Sequence, residues 1–333
     1  MKAMGRFLTV LLLSLPFFLN GQGLFKSDDL LTLSIECHFD SLFQFYRYEK
    51  KYQKTRIIVD GQEEFLKIRV RGNSRRTEEF CHYPPLLLNF KEKETSGTIF
   101  AGQNKLKLVT PCLENVDDGV QVISREFLAY KIYRIITDSS FRVRPVNVRY
   151  VDLDDGTEVN TGSFLIEDAG MMADRLGMTL LKDLEWPEET PDYVHSTKVS
   201  LFHFMIGNLD WYFPNHNMKI LANAKGDSVA IPYDFDLSGF VSAPYAEPRT
   251  DYYQEKITDR YYLGHCRTRE EFEKEFDYFR SKEDEIYNLI DSADWIPVEQ
   301  RKEMTDYIRS FYALISDEEQ VAKTIMTTCQ SFQ

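Results

Sequence analysis

The chain has 333 residues, enough to bury a large core and to form about two domains or lobes. Its formal charge is −13. Setting aside residues 1–22, which hold Lys2 and Arg6 and no acid, makes it −15 and argues against nucleic acid or an anionic membrane as a partner for the surface as a whole. With 24 Phe and 19 Tyr the composition is that of a packed globular protein, which excludes a disordered one.

The N-terminus carries two basic residues, an apolar run from Phe7 to Leu19, then small and polar residues. That run is short and lightly flanked for a permanent span, so residues 1–22 read as an export signal cleaved near Gly21 to Gly23, with an uncleaved anchor as the alternative. No later stretch is apolar enough to span a bilayer, so the mature chain is expected to lack a membrane span and to be periplasmic, secreted or at the cell surface. Five cysteines follow, Cys37, Cys81, Cys112, Cys266 and Cys329. An oxidising setting permits disulfides, but an odd number at wide spacing fixes no pairing and allows at most two bridges. The absence of a CxxC or Cys/His cluster argues against structural zinc.

In chain order, LTLSIECHF reads as a strand, and EEFLKIRV as another whose apolar residues are Phe65, Ile68 and Val70, ending in a turn at Gly72 and Asn73. Pro84 to Phe90 and Lys105 to Val109 read as two more. In the latter, Lys105 and Lys107 share one face and Leu106 and Leu108 the other. Helical spacing predicts a helix over Ile123 to Ile136 with Glu126 near its start. A hairpin with its turn at Asp154 to Gly156 follows and ends at Phe164 to Glu167. Residues 183–197 read as a surface loop, and Lys198 to Leu209 as a helix with Val199, Phe202, Ile206 and Leu209 on its inner face. Beyond Gly239 comes a tyrosine-rich, turn-rich loop, then two helices. One is signalled by the Thr268/Glu271 capping box, the other spans Val298 to Ile315.

The chemistry concentrates between Asn208 and Gly239. Asp210 and Asn215 stand five residues apart, and Asp234 and Asp236 follow after a strand turn. Carboxylate and amide oxygens are what a hard divalent cation takes. One carboxylate that orients a hydroxyl, with an amide and a later carboxylate on a cation, is how kinases divide phosphoryl transfer. The same side chains also serve as caps and Asx turns. Three other features carry a similar pair of readings. Arg69, Arg71, Arg75 and Arg76 suit a phosphate or clamp the turn to an acidic neighbour. Lys105 or Lys107 neutralises nucleotide phosphates or lines a solvated strand face. Glu126 holds that lysine or favours the helix dipole.

These pieces, RVRGNSRR at Arg69 to Arg76, KLKLVTPC at Lys105 to Cys112, SREFLAYKIYR at Ser124 to Arg134, GSFLIED at Gly162 to Asp168, GNLDWYFPNHN at Gly207 to Asn217 and PYDFDLSG at Pro232 to Gly239, together resemble the spore-coat CotH kinase family. The likeness is to its exported Bacteroides-type members, and more remotely to HipA-type atypical kinases. The resemblance implies a two-lobed, kinase-like α+β fold, with a strand-rich N-terminal lobe over 23–168 and a helix-rich C-terminal lobe over 169–333. It implies transfer of a phosphoryl group from ATP, with Mg²⁺ or Mn²⁺, to a Ser or Thr hydroxyl of a protein substrate. Asp210 would be the catalytic residue and Asn215, Asp234 and Asp236 the metal ligands. Arg71, Lys107 or Lys105, Glu126 as the lysine's ion-pair partner, and the backbone near Glu167 would hold the nucleotide. The sequence departs from kinases at large in lacking a GxGxxG loop and an HRD triplet before Asn215. The alternative is a catalytically inactive, kinase-like secreted binding or surface-assembly module.

Overall fold

The computed structural model describes residues 23–46, 48–72, 81, 83–91, 95–113, 115–182, 192–213 and 216–331. The expected export signal, most of the arginine-rich turn, and Pro214 with Asn215 lie outside them. No helix among the described residues is long and apolar enough to cross a membrane.

Alternation builds the N-terminal half. β1 (Leu31–Cys37) turns Leu31, Leu33, Ile35 and Cys37 inward, and β2 (Gln53–Val59) and β3 (Gln62–Val70) form a hairpin. Their turn, Asp60–Gly61, has φ of 50° and 75°, the doubly positive geometry that suits a two-residue hairpin loop. Period two puts Leu66, Ile68 and Val70 inside and leaves Phe65, on the other face, 67 % exposed. β4 (Leu86–Asn89), β5 (Lys105–Val109), β6 (Val143–Asp152) and β7 (Glu158–Ile166) complete a closed barrel in the order β1-β2-β3-β4-β5-β7-β6. A parallel pairing of β1 with β6, Leu33 opposite Val148, closes it and so leaves no open sheet edge. The barrel interior is filled by side chains such as Ile35, Ile57, Leu88, Leu106 and Val148.

α1 (Val116–Ile136) lies against the outward face of the β6–β7 hairpin and begins seven residues earlier than its apolar pattern indicates. The reason is the cap: Asn115 accepts a hydrogen bond from the Asp117 amide, and a polar first turn carries no periodicity. Glu126 therefore sits at mid-helix, where the helix dipole gives it no support. α1 joins a second core with Phe164 and Ile166 of β7 and the helices that follow. These are α2 (Ala169–Leu176), α3 (Tyr193–Ile206), α4 (Arg269–Arg280), α5 (Glu283–Asp291), α6 (Val298–Ile315) and the short α7 (Glu318–Val321), with a small sheet β10-β9-β8 (Ser228–Pro232, Met218–Ala222, Thr179–Leu180) among them. The chain is thus α+β, strand-rich first and helix-rich later.

The capping box at Thr268 and Glu271 is formed, and α6 spans its expected residues. α3 starts at Tyr193, inside the stretch read as loop, because the Asp192 carboxylate caps it, and it stops at Ile206 because Gly207 turns left-handed. Disulfides join Cys81 to Cys112 and Cys266 to Cys329, leaving Cys37 a buried thiol.

Candidate functional site

The loop after α3 is tightly held. Gly207 has φ +63°, and a methyl group there would come within 2.1 Å of the Tyr307 hydroxyl, so only glycine both makes the turn and fits. The next residue, Asn208, is buried; its side-chain oxygen accepts from the Asp210 amide at 2.9 Å, and its amide nitrogen lies 3.2 Å from His203 Nδ1. Trp211 stacks on His203 at 4.4 Å and donates its indole N–H to the Asn208 carbonyl. Burial pushes His203 well below the usual imidazole range, keeping this wall neutral.

Asp210 projects from that frame, and both of its carboxylate oxygens have partners. His216 Nε2 is 2.9 Å from Oδ1, and Asn217 donates to Oδ2 at 2.9 Å and to the Asp210 carbonyl at 2.7 Å. Arg249, from the tyrosine-rich loop, donates to the Leu209 carbonyl and stands 3.9 Å from Asp210 Oδ1. Asn217 is itself left-handed, and its carbonyl accepts from the Tyr233 amide at 3.0 Å. Gly239 and Phe240 donate backbone hydrogen bonds to Gly207 and Ile206. The segment with Asp210 and the segment with Asp234 and Asp236 are therefore bound to each other at two places, Asn217 to Tyr233 at the base of the hairpin β9–β10 and Gly207 to Gly239 beyond it.

Asp234 adopts φ +67°, a conformation that costs a non-glycine residue of order 1 kcal/mol and is held here by a hydrogen bond from its amide to the Tyr130 hydroxyl at 2.9 Å. This turn brings one oxygen each of Glu126, Asp234 and Asp236 within 4.8 Å of one another. Glu126 and Asp236 are only 1 % and 5 % exposed. Like charges at that range in a desolvated setting need protons or cations to balance them.

Lys107 lies beside the acids. Its ammonium stands over the Tyr233 ring, 5.1 Å from the centroid, with Lys219 on the same ring at 5.5 Å. Burial, then the positive charges of Arg71 and Lys219, lower its pKa to about 8, against the pull of Asp234 and Asp168. The expected Lys107–Glu126 ion pair is not formed; Glu126 is gathered with Asp234 and Asp236 instead. The rival, Lys105, is exposed two residues away on β5. Arg71 follows β3 with its amide bonded to the Pro85 carbonyl, and its charge reaches both Lys107 and Tyr130.

Glu167 has a different setting. Its carboxylate takes a two-point contact from Arg175 at 3.0 and 2.9 Å and the Arg142 amide at 3.0 Å, while its own amide donates to the Arg142 carbonyl. Its side chain and N–H are thus engaged in holding the β7–α2 passage, and that N–H is not open to an adenine ring. Sequence reasoning passed over Tyr130, Asp168 and Lys219. Tyr130 follows Glu126 by four residues, one helical turn, which is the signal that linked the two.

Comparison of the sequence with family models and with curated proteins found no match.

Proposed function

We propose that the protein is an exported, metal-dependent phosphotransferase of kinase-like organisation, moving the terminal phosphoryl group of ATP to a Ser or Thr hydroxyl of a protein. The observation that carries this reading is the convergence of Glu126, Asp234 and Asp236 beside Lys107 and Arg71. An all-carboxylate donor set suits Mg²⁺ or Mn²⁺ better than a softer metal. Such an ion, when bound, would draw charge from the phosphates; Asp234 and Asp236, with Glu126 in support, would hold it. Lys107 and Arg71 would meet the non-transferred phosphates, and Asp210 would accept the proton of the acceptor hydroxyl. The order of elements favours this division of labour: lysine strand, glutamate helix, hairpin, helix, aspartate loop, hairpin, paired aspartates. The two disulfides favour an oxidising compartment.

The test is incubation of the chain without residues 1–22 with γ-labelled ATP and Mg²⁺ or Mn²⁺, with and without candidate acceptor proteins. Labelling of protein by wild type and its loss in Asp210→Asn is the expected result. Equal labelling by both would remove Asp210 from the mechanism.

One observation favours the second reading, an inactive binding module of the same organisation. Both Asp210 oxygens already accept hydrogen bonds within the chain, from His216 and Asn217. That reading predicts nucleotide or metal binding without turnover.

A further inference from the structure

One end of the barrel holds a second recess whose chemistry differs from that of the acid cluster and shares no residue with it. It encloses ≈240 Å³ where the ends of β1 and β6 meet the start of β7 and the segment before β4. Four rings form its walls. Phe39 lies 5.3 Å from both Phe43 and Tyr150, and Tyr83 lies 5.4 Å from Tyr150 and 6.1 Å from Phe43. Around them stand three carboxylates, Asp40, Asp152 and Asp155, and among the described residues the lining includes no Lys, Arg or His.

The rings are fixed in place. Tyr150 is 2 % exposed, so packing holds its ring. The Tyr83 carbonyl accepts from Thr110 at 2.6 Å, and the Cys81–Cys112 disulfide crosses between the same two segments. The acids are set by local turns: Asp152 accepts from the Asp154 amide and Asp155 from the Thr157 amide. The charge of Asp152 is felt at Tyr83 and at the Cys37 thiol, both of which are pushed up, mainly by burial. Ring faces carry negative quadrupole charge, and carboxylates add full negative charge. Together they attract a cation whose carbon substituents contact the rings while its charge faces the acids.

We propose that this recess binds an organic cation, an alkylated ammonium group. Among the described residues the oxygens of these three acids do not converge as those of Glu126, Asp234 and Asp236 do, so a hard metal ion has no shared donor set here, and an anion would meet three carboxylates. The site recognises its ligand by charge and by alkyl surface at once.

The test is calorimetric titration of the disulfide-intact chain with choline, and with 3,3-dimethyl-1-butanol, its neutral isostere of the same shape. The expected result is saturable choline binding that exceeds binding of the isostere by about tenfold or more, the scale of a desolvated cation–π contact. Asp40→Asn, an exposed position, should weaken choline several-fold with an unchanged unfolding temperature, and Tyr83→Leu should weaken it further. Asp234→Asn, at the acid cluster, should leave it unchanged, which separates this site from the proposed phosphotransferase. Equal affinity for choline and its isostere, or no binding of choline to the wild-type chain, would overturn the assignment.

Discussion

Asp210 and the Glu126/Asp234/Asp236 cluster place carboxylates in opposite circumstances. Asp210, partly exposed, is satisfied by two side-chain donors on a loop braced by stacked rings. The cluster crowds three carboxylates together, two of them almost wholly buried, on a turn whose backbone is left-handed. A single acid held by hydrogen bonds is suited to orient a hydroxyl, and crowded acids are suited to share a cation. The contrast between them is the physical basis for assigning them different roles.

Substitutions on each side should separate the two. The largest effect is expected for Asp210→Asn: a loss of phosphoryl transfer of about 10²–10⁴-fold, the range for a general base, with nucleotide affinity retained in a titration. Asp234→Asn should do the reverse, weakening metal-dependent nucleotide binding by about 100-fold or more in the same titration. Gly207→Ala tests the frame under Asp210. The left-handed backbone and the Tyr307 hydroxyl together should cost about 2–4 kcal/mol of stability, read as a lowered unfolding temperature. Asn217→Ala should cost about 1 kcal/mol and slow transfer about tenfold by freeing Asp210, without changing metal affinity. The smallest effect concerns pH. Lys107 is protonated below its lowered pKa of about 8 and neutral above it, so nucleotide affinity should be full at pH 7 and decline several-fold as pH rises past that value. Lys107→Met should abolish the pH step.

Much of this contrast was legible in the sequence. Asp210, Asp234 and Asp236 stand out because turn-forming acids at the ends of apolar runs announce themselves locally, and the strand period of Lys105 to Val109 put Lys105 and Lys107 on one face without choosing between them. Other features depended on distance in space. Glu126 was legible as a helical acid, read as a partner of Lys105 or Lys107 or as a first-turn acid, but its meeting with the aspartates turned on the left-handed kink at Asp234, which no pattern of residue types encodes. β2 went unread although Asp60–Gly61 is a hairpin signal, because its charged, irregular neighbours hid the alternation. The early start of α1 was hidden at its acidic first turn, Asp117 and Asp118. The seven-strand closure rests on a parallel pairing between β1 and β6, more than a hundred residues apart, which lies beyond any local signal.

Titration of the chain with Mn²⁺, followed by the loss of its free-ion magnetic resonance signal, tests most directly whether the cluster holds a divalent cation. Wild type should take up one ion, and Glu126→Gln and Asp236→Asn should each lose it while unfolding at or above the wild-type temperature, since each removes one of the repelling buried charges. Mn²⁺ uptake that is absent in wild type, or unchanged in both variants, would contradict it.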